Sequence, residues 1–195
     1  DTSQDIAVSS IIIYANGFVR SLAPNELLSD AFQEVPEPPP EQAQSPVVIP
    51  KSLLHDDTCV TMVSRKGRIL SFDAKSLARL RSGGRQAAVL EEGDTIATAC
   101  VCPAESPLVI VSALGLGHCI KHDNLPIKKD LGAKMVAGMQ LADGDSVVGC
   151  LPITEKDILM LSQDGYVMRL RGGAETLPAH GRTGKGVKLM KLHTG

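Results

Sequence analysis

Aromatic side chains are nearly missing from this chain. Its 195 residues hold Tyr14, Tyr166, Phe18, Phe32 and Phe72, and no Trp. Ring faces are what stack unpaired bases and sugars, so the scarcity excludes a stacking platform for single-stranded nucleic acid and most carbohydrate sites. No apolar run approaches the roughly 18 to 20 residues that cross a bilayer. No charged, then apolar, then small-residue leader is visible either. The chain opens on Asp rather than Met and reads as a fragment of a longer protein. Its five cysteines, at 59, 100, 102, 119 and 150, contain no C-x-x-C pair. An odd number, with four in or beside apolar stretches, reads as reduced core thiols of a cytosolic-type compartment, not a disulfide framework.

Net charge is also small, a formal −2, but the charges are unevenly placed. Residues 1–57 hold Asp1, Asp5, Glu26, Asp30, Glu34, Glu37, Glu41, Asp56 and Asp57 against Arg20 and Lys51, a balance of −7. Residues 58–195 therefore carry +5. An acidic front precedes a basic body.

What the chain does have is a hairpin pattern written four times. The copies read Ser10-IIIYA-Asn16-Gly17-FVRSL, Cys59-VTMVSRK-Gly67-RILSF, Leu108-VIVSAL-Gly115-LGHCI and Ile158-LMLSQD-Gly165-YVMRL. Their glycines at 17, 67, 115 and 165 are spaced by 50, 48 and 50 residues, and a Leu follows each hairpin at 27, 77, 125 and 177. The first strand of each pair is almost wholly apolar, which suits a strand covered on both faces. Asn16-Gly17, Lys66-Gly67, Leu114-Gly115 and Asp164-Gly165 supply the tight turns, since Gly accepts positive φ. A polar Gly-rich stretch and another strand follow each later hairpin. There Val89-Leu90-Glu91-Glu92-Gly93-Asp94-Thr95-Ile96 matches the segment around Gly144-Asp145, and the Gly-Asp pair is expected as a surface turn. About four short strands per ~50 residues is blade-like, so the expected fold is all-β and propeller-like.

The expected divisions are a divergent first hairpin over 1–31, an acidic Pro-rich loop or linker over 32–57, and three basic blades over 58–106, 107–156 and 157–195. Pro favours extended conformations without backbone donors, hence the linker reading. Positive charge recurs after each regular hairpin: Arg79, Arg81 and Arg85, then Lys128, Lys129 and Lys134, then Arg182, Lys185 and Lys188. Blades about an axis would place these nine on one rim. Glycines 83, 84, 132, 181, 184 and 186 would leave amides open to phosphate oxygens. Such a stripe can follow a duplex backbone without reading its sequence.

A hairpin with a central Gly, a Gly/Arg/Lys-rich stretch and then L-x-x-G-D-x-[VI] resembles the C-terminal domain of the A subunit of bacterial type IIA topoisomerases, DNA gyrase or topoisomerase IV. Residues 158–192 carry the resemblance most fully. It implies a β-pinwheel of about four blades, open or truncated, whose blades exchange strands with their neighbours. It also implies a non-catalytic domain that binds and bends or wraps duplex DNA along its basic rim. The implied partners are double-stranded DNA, the rest of the A subunit and its ATPase partner subunit. The parent would be an ATP-dependent topoisomerase of the bacterial cytoplasm and nucleoid, or of an organelle of bacterial descent, with no membrane and no cofactor. One departure is in the gyrase box, Q-[RK]-R-G-G-[RK]-G. In Leu80-Arg81-Ser82-Gly83-Gly84-Arg85-Gln86 only Arg81, Gly83, Gly84 and Arg85 fit, and the segment follows the second hairpin, not the first. Arg171-Gly172-Gly173 resembles its core at the wrong phase of the repeat. These departures lean toward the topoisomerase IV type or a degenerate gyrase-like domain.

Other constellations are weaker. His118, Cys119 and His122 invite a zinc reading, but on a strand Cys119 faces away from His118 and no further ligand pair is near. The 181–186 glycine loop lacks a Walker pattern, having Ala179 and Gly186 where Gly and Ser or Thr are needed. Tyr14 and Tyr166 sit beside turn glycines and read as structural, so the DNA-cleaving tyrosine is expected elsewhere in the parent. Asp143, Asp145, Asp56 and Asp57 read as turn and surface acids. The alternative function is a protein-interaction propeller with no DNA role. A small-molecule β-propeller enzyme is disfavoured because no polar groups converge.

Overall fold

The computed structural model describes residues 9–23, 45–173 and 177–192. Leu27 and most of the acidic Pro-rich stretch lie outside them. The elements in order are β1 (Ser10–Ile13), β2 (Phe18–Leu22), β3 (Val47–Pro50), β4 (Thr58–Ser64), β5 (Arg68–Asp73), α1 (Ala74–Ala78), β6 (Arg85–Gln86), β7 (Ala88–Val89), β8 (Ile96–Pro103), β9 (Leu108–Ser112), β10 (Leu116–Ile120), β11 (Ile127–Lys128), β12 (Ala133–Lys134), β13 (Val136–Ala137), β14 (Val147–Pro152), β15 (Ile158–Leu161), β16 (Val167–Leu170) and β17 (Val187–Lys188). Apart from α1 and short 3-10 turns, the described chain is strand and loop, as the repeat pattern predicts. The stretch 32–57 is not loop throughout. Its apolar Val47-Val48-Ile49 run forms β3, which pairs antiparallel with β1.

The hairpins β1–β2, β4–β5, β9–β10 and β15–β16 are the four copies seen in the sequence. The first and third each gain two strands, and the second gains three, since β11 also pairs in parallel with β5. The inner strand of each hairpin pairs with the strand that follows in its own repeat: β1 with β3, β4 with β8, β9 with β14. The outer strand pairs with a two-residue strand from the next repeat: β2 with β6, β5 with β13, β10 with β17. The residue after each turn glycine (Phe18, Arg68, Leu116) faces Gln86, Ala137 and Lys188, which are 51 residues apart. Strands therefore pass between repeats, as the resemblance implies.

The sheets stack, and alternation along each inner strand feeds two cores. Val60 and Met62 of β4 pack toward the first sheet with Ile11, Ile13 and Val19, while Cys59 and Val63 face the third with Leu108 and Ile110. This is why these strands are apolar on both faces, with Thr61 the buried polar exception inside β4, hydrogen-bonded to Ser71 Oγ at 2.8 Å. The last junction is thin, with Val109, Cys119, Ile153 and Leu177 as its buried residues. In β15, Leu159 is 68% exposed and Leu161 72%. Among the described residues β15–β16 pairs with nothing else.

The turns are tighter devices than an X-Gly pair. Gly67 N–H donates to Ser64 C=O at 3.0 Å, and the next residue, Arg68, donates its N–H to Ser64 Oγ at 3.1 Å. Ser112 and Ser162 do the same for Leu116 and Tyr166. The glycine is thus the third loop residue, in the left-handed position that closes a bulge, with φ of 75 to 84° in all four copies. In the first copy Tyr14 replaces the serine, and Asn16 Oδ1 accepts the Phe18 N–H instead.

Three of these glycines also touch the next repeat. A Cβ on Gly17, Gly67 or Gly115 would stand 2.4, 2.2 or 2.5 Å from the carbonyl oxygen of Ala88, Met139 or Met190; one on Gly165 would meet nothing within 4 Å. Gly67→Ala should therefore leave the chain insoluble or unfolded. Gly165→Ala bears only left-handed strain and should cost about 1–2 kcal/mol. Urea unfolding of the two variants checks this; equal losses would remove the inter-repeat contact as the cause.

Candidate nucleic-acid interface

Exchange of the polar stretches decides where the cations go. The stretch after β5 crosses back so that β6 lies on β2, while the stretch after β10 lies on β5 through β11 and β13. Ser76 Oγ of α1 donates to the Lys129 carbonyl at 2.7 Å, tying the two repeats together. Arg79, Arg81, Arg85 and Lys129 consequently line one concavity of about 560 Å³, with Ser76, Gly83 and Gly84 on its wall. Asp130 is the acid in that wall. The four cations are exposed. Among the described residues, the Lys and Arg ion pairs are Arg68–Glu91, Lys75–Asp56 and Arg169–Asp157, and none uses any of the nine predicted cations.

The other five stand apart from this concavity. Lys128 and Lys134 are exposed on β11 and β12, the latter paired in parallel with β7. Lys185 lines a second cavity of about 340 Å³ beside His118 and His180. Lys188 is exposed on β17. Arg182 is half-buried, and its Nε is enclosed without a hydrogen-bond partner among the described residues. In the 51-residue register set by the exchanged strands, Lys134 and Lys185 are equivalent, but Arg81 matches Gly132 and Thr183. Positive charge recurs by segment more than by position.

The glycines divide as well. Gly83 and Gly181 face open space. Gly84 packs on the Phe18 ring, Gly184 on the His118 ring and Gly186 on the Gly117 carbonyl. The amides of Gly84 and Gly132 are already given to the carbonyls of Arg81 and Ala87. Most of these glycines serve close packing, not an open row of amides. In the box-like segment Leu80 is a core residue, and Gln86 Nε2 donates to the carbonyls of Asn16 and Ala88 at 2.7 Å. Gly172 lies against the Glu155 backbone and donates its N–H to Asp157 Oδ1, so the Arg171-Gly172-Gly173 run is structural. That hydrogen bond, then the Arg169 ion pair, holds the Asp157 carboxyl below its usual range.

The Gly-Asp pair differs from the expected surface turn. Asp94 is buried, and its Oδ1 accepts the N–H groups of Lys66 at 3.1 Å and Thr95 at 2.9 Å. Asp145 Oδ1 does the same for Leu114 and Ser146. Each aspartate locks the hairpin turn of its own repeat. Periodicity alone could not show this, although Asp94 and Asp145 are 51 residues apart.

Among the described residues no three His, Cys, Asp or Glu side chains come together to hold a metal ion. His118 is buried, and its Nε2 lies 3.1 Å from the Arg182 carbonyl, clasping the last cationic loop to β10.

The family model of the DNA gyrase C-terminal domain, beta-propeller, matches residues 60–103, 132–154 and 156–195, more than half of the chain. The chain belongs to this family. No curated protein sequence matches it. Among solved structures, one described as DNA gyrase A C-terminal domain superposes with a TM-score of 0.70 at 16% identity, over 94% of this chain and 60% of that one. A topoisomerase IV C-terminal domain gives 0.68 at 13% identity, over 98% and 60%. The E. coli ParC C-terminal domain gives 0.58 at 20% identity, over 94% and 71%. The gyrase-family chain thus spans about 60% of the length of the first two, and its fold is the β-pinwheel. No described helix is long and apolar enough to cross a membrane.

Burial pushes the His118 imidazole below its ordinary range, ahead of the opposing carbonyls of Arg182 and Gly181. The unfolded chain then binds a proton near pH 6.5 that the native chain refuses, so stability falls as pH drops below about 6.5. His118→Gln, which keeps a donor toward the Arg182 carbonyl, should flatten that acid limb. Thermal melts from pH 7.5 to 5 test it, and an unchanged limb would assign the loss to other groups.

Proposed function

We propose that this chain is a non-catalytic domain that binds duplex DNA through its phosphates, within the A subunit of a type IIA topoisomerase. The observation that carries the reading is the concavity where Arg79, Arg81, Arg85 and Lys129 meet without an ion-pair partner among the described residues. Four unneutralised cations from two repeats match a backbone that presents one charge per ~1.7 Å of duplex axis. Lys128, Lys134, Lys185 and Lys188 are exposed outside the concavity and offer further phosphate contacts on this reading, while Arg182, half-buried, offers the least. Contacts of this kind fix position and favour bending without reading bases. The cleavage tyrosine and the ATPase belong to the remainder of the subunit and its partner subunit. The setting is the bacterial cytoplasm, on nucleoid DNA.

A second reading has an observation of its own. Leu159, Leu161, Tyr166 and Val167 of the last hairpin are all more than half exposed, an apolar surface suited to another protein.

Gel shifts with linear duplex at two salt concentrations separate the two. If six to nine phosphates are contacted, log K falls against log salt with a slope of roughly −5 to −8. Replacing Arg79, Arg81, Arg85, Lys128, Lys129 and Lys134 by Ala should weaken binding and flatten the slope by about one unit per lost contact. Unchanged binding overturns the phosphate track. A salt-insensitive or absent shift of the parent chain favours the protein-interaction reading.

A further inference from the structure

Four sulfur atoms run in a row through the junction of the sheets centred on β4–β5 and β9–β10. Cys100 and Cys102 leave the same face of β8, two residues apart. Cys59 of β4 stands opposite Cys102 in the ladder, and Cys150 belongs to β14 of the next sheet. Cys100 Sγ lies 3.6 Å from Cys102 Sγ and 3.5 Å from Cys150 Sγ. All four are buried free thiols. Cys100 is the member that touches both Cys102 and Cys150, and no group able to hold a metal ion is found among the described residues.

The two contacts of Cys100 are chemically unequal. Cys100 and Cys102 share one strand with parallel side chains and Cα atoms about 6.6 Å apart, at the long limit for a disulfide. Cys150 approaches Cys100 from a different sheet, so a small shift between sheets can close the gap to the bonding distance of about 2.05 Å. One end of the row, although buried, borders a groove. Cys150 lines an open, largely apolar groove of about 760 Å³ between β14 and β15, together with Thr98, Val109, Leu159 and Leu161. Cys100 sits directly behind it.

We propose that Cys150 and Cys100 form an oxidation site for small, neutral two-electron thiol oxidants entering through this groove, and that the product is a disulfide joining two consecutive sheets. With a diazenedicarboxamide as oxidant, Cys150 sulfur adds to the N=N bond and its proton passes to the other nitrogen. Cys100 sulfur then attacks Cys150 sulfur, the S–N bond breaks, and the Cys100 proton completes the hydrazine. Both thiols are oxidised and the diazene takes up both electrons and both protons. Thiol neighbours, first Cys102 and then Cys150, together with burial hold the Cys100 thiol protonated, so it is not the first to react; its 3.5 Å contact with Cys150 places it for the second step. Cys119 lies in the other junction, its thiol pushed up to about 11 by burial, and stays free.

The test treats the folded 195-residue chain with diamide, alkylates the remaining thiols under denaturing conditions, and maps non-reduced peptides by mass spectrometry. The expected product links the peptide carrying Cys100 to that carrying Cys150. It forms in Cys102→Ala, is lost in Cys100→Ala and Cys150→Ala, and melts higher than the reduced chain until dithiothreitol reverses it. Circular dichroism confirms that each variant is folded, and any unfolded one is replaced by its Ser counterpart. A link that persists without Cys100, one that forms only in urea, or no link in the native chain overturns the proposal.

Discussion

The carbonyl oxygens of Gly17, Gly67 and Gly115 hold the joints between consecutive repeats. Gly17 accepts the N–H groups of Ala87 and Ala88, Gly67 that of Gly138, and Gly115 those of Leu189 and Met190, all between 2.9 and 3.2 Å. A second bond reinforces two of these joints, from Ile96 to the Ala15 carbonyl and from Val147 to the Arg65 carbonyl. Only glycine allows this, because the turn needs positive φ and the incoming backbone passes where a Cβ would be. The exchanged strands are two residues long and could not hold on their own ladder bonds. The turn clasp sets their register, the register sets which side chains reach the core, and the core sets the stacking of the sheets.

The cationic concavity is a by-product of that same exchange. Arg79, Arg81 and Arg85 come from the stretch that seats β6 on the first hairpin, and Lys129 from the stretch anchored on the second. Neither stretch makes a groove alone. Surface charge and fold are therefore linked, since loosening a joint would spread the cations as well as expose the core.

Much of this was legible in the sequence because glycine spacing and apolar alternation are local signals. Gly17, Gly67, Gly115 and Gly165 mark all four hairpins, and the continuous apolar runs of β4 and β9 mark strands covered on both faces. The cationic segments were legible too, but not their meeting. Arg85 and Lys129 come together only through strand exchange, and two-residue strands such as β6 and β13 leave no periodicity to read. The turn-locking roles of Asp94 and Asp145 were hidden for a related reason: Gly-Asp is a good surface turn by local chemistry, and only the hairpin folded over it makes the carboxylate a lock. The glycines of the cationic stretches were misread in the same way, because close packing and open amides demand the same residue.

Strand exchange also gives the array a direction. Each repeat lends its short strand to the one before it, and β15–β16, which lends β17 to β10, receives none among the described residues. Dependence in strand pairing therefore runs one way. Removing a unit from the amino-terminal side strips a lender of its client and bares the core face that β4 shares with the first hairpin, whereas removing one from the carboxy-terminal side also uncovers the edge and turn of its predecessor. Damage of equal size is therefore not equal in kind: loss on the amino-terminal side removes core contacts, and loss on the carboxy-terminal side removes strand pairing as well.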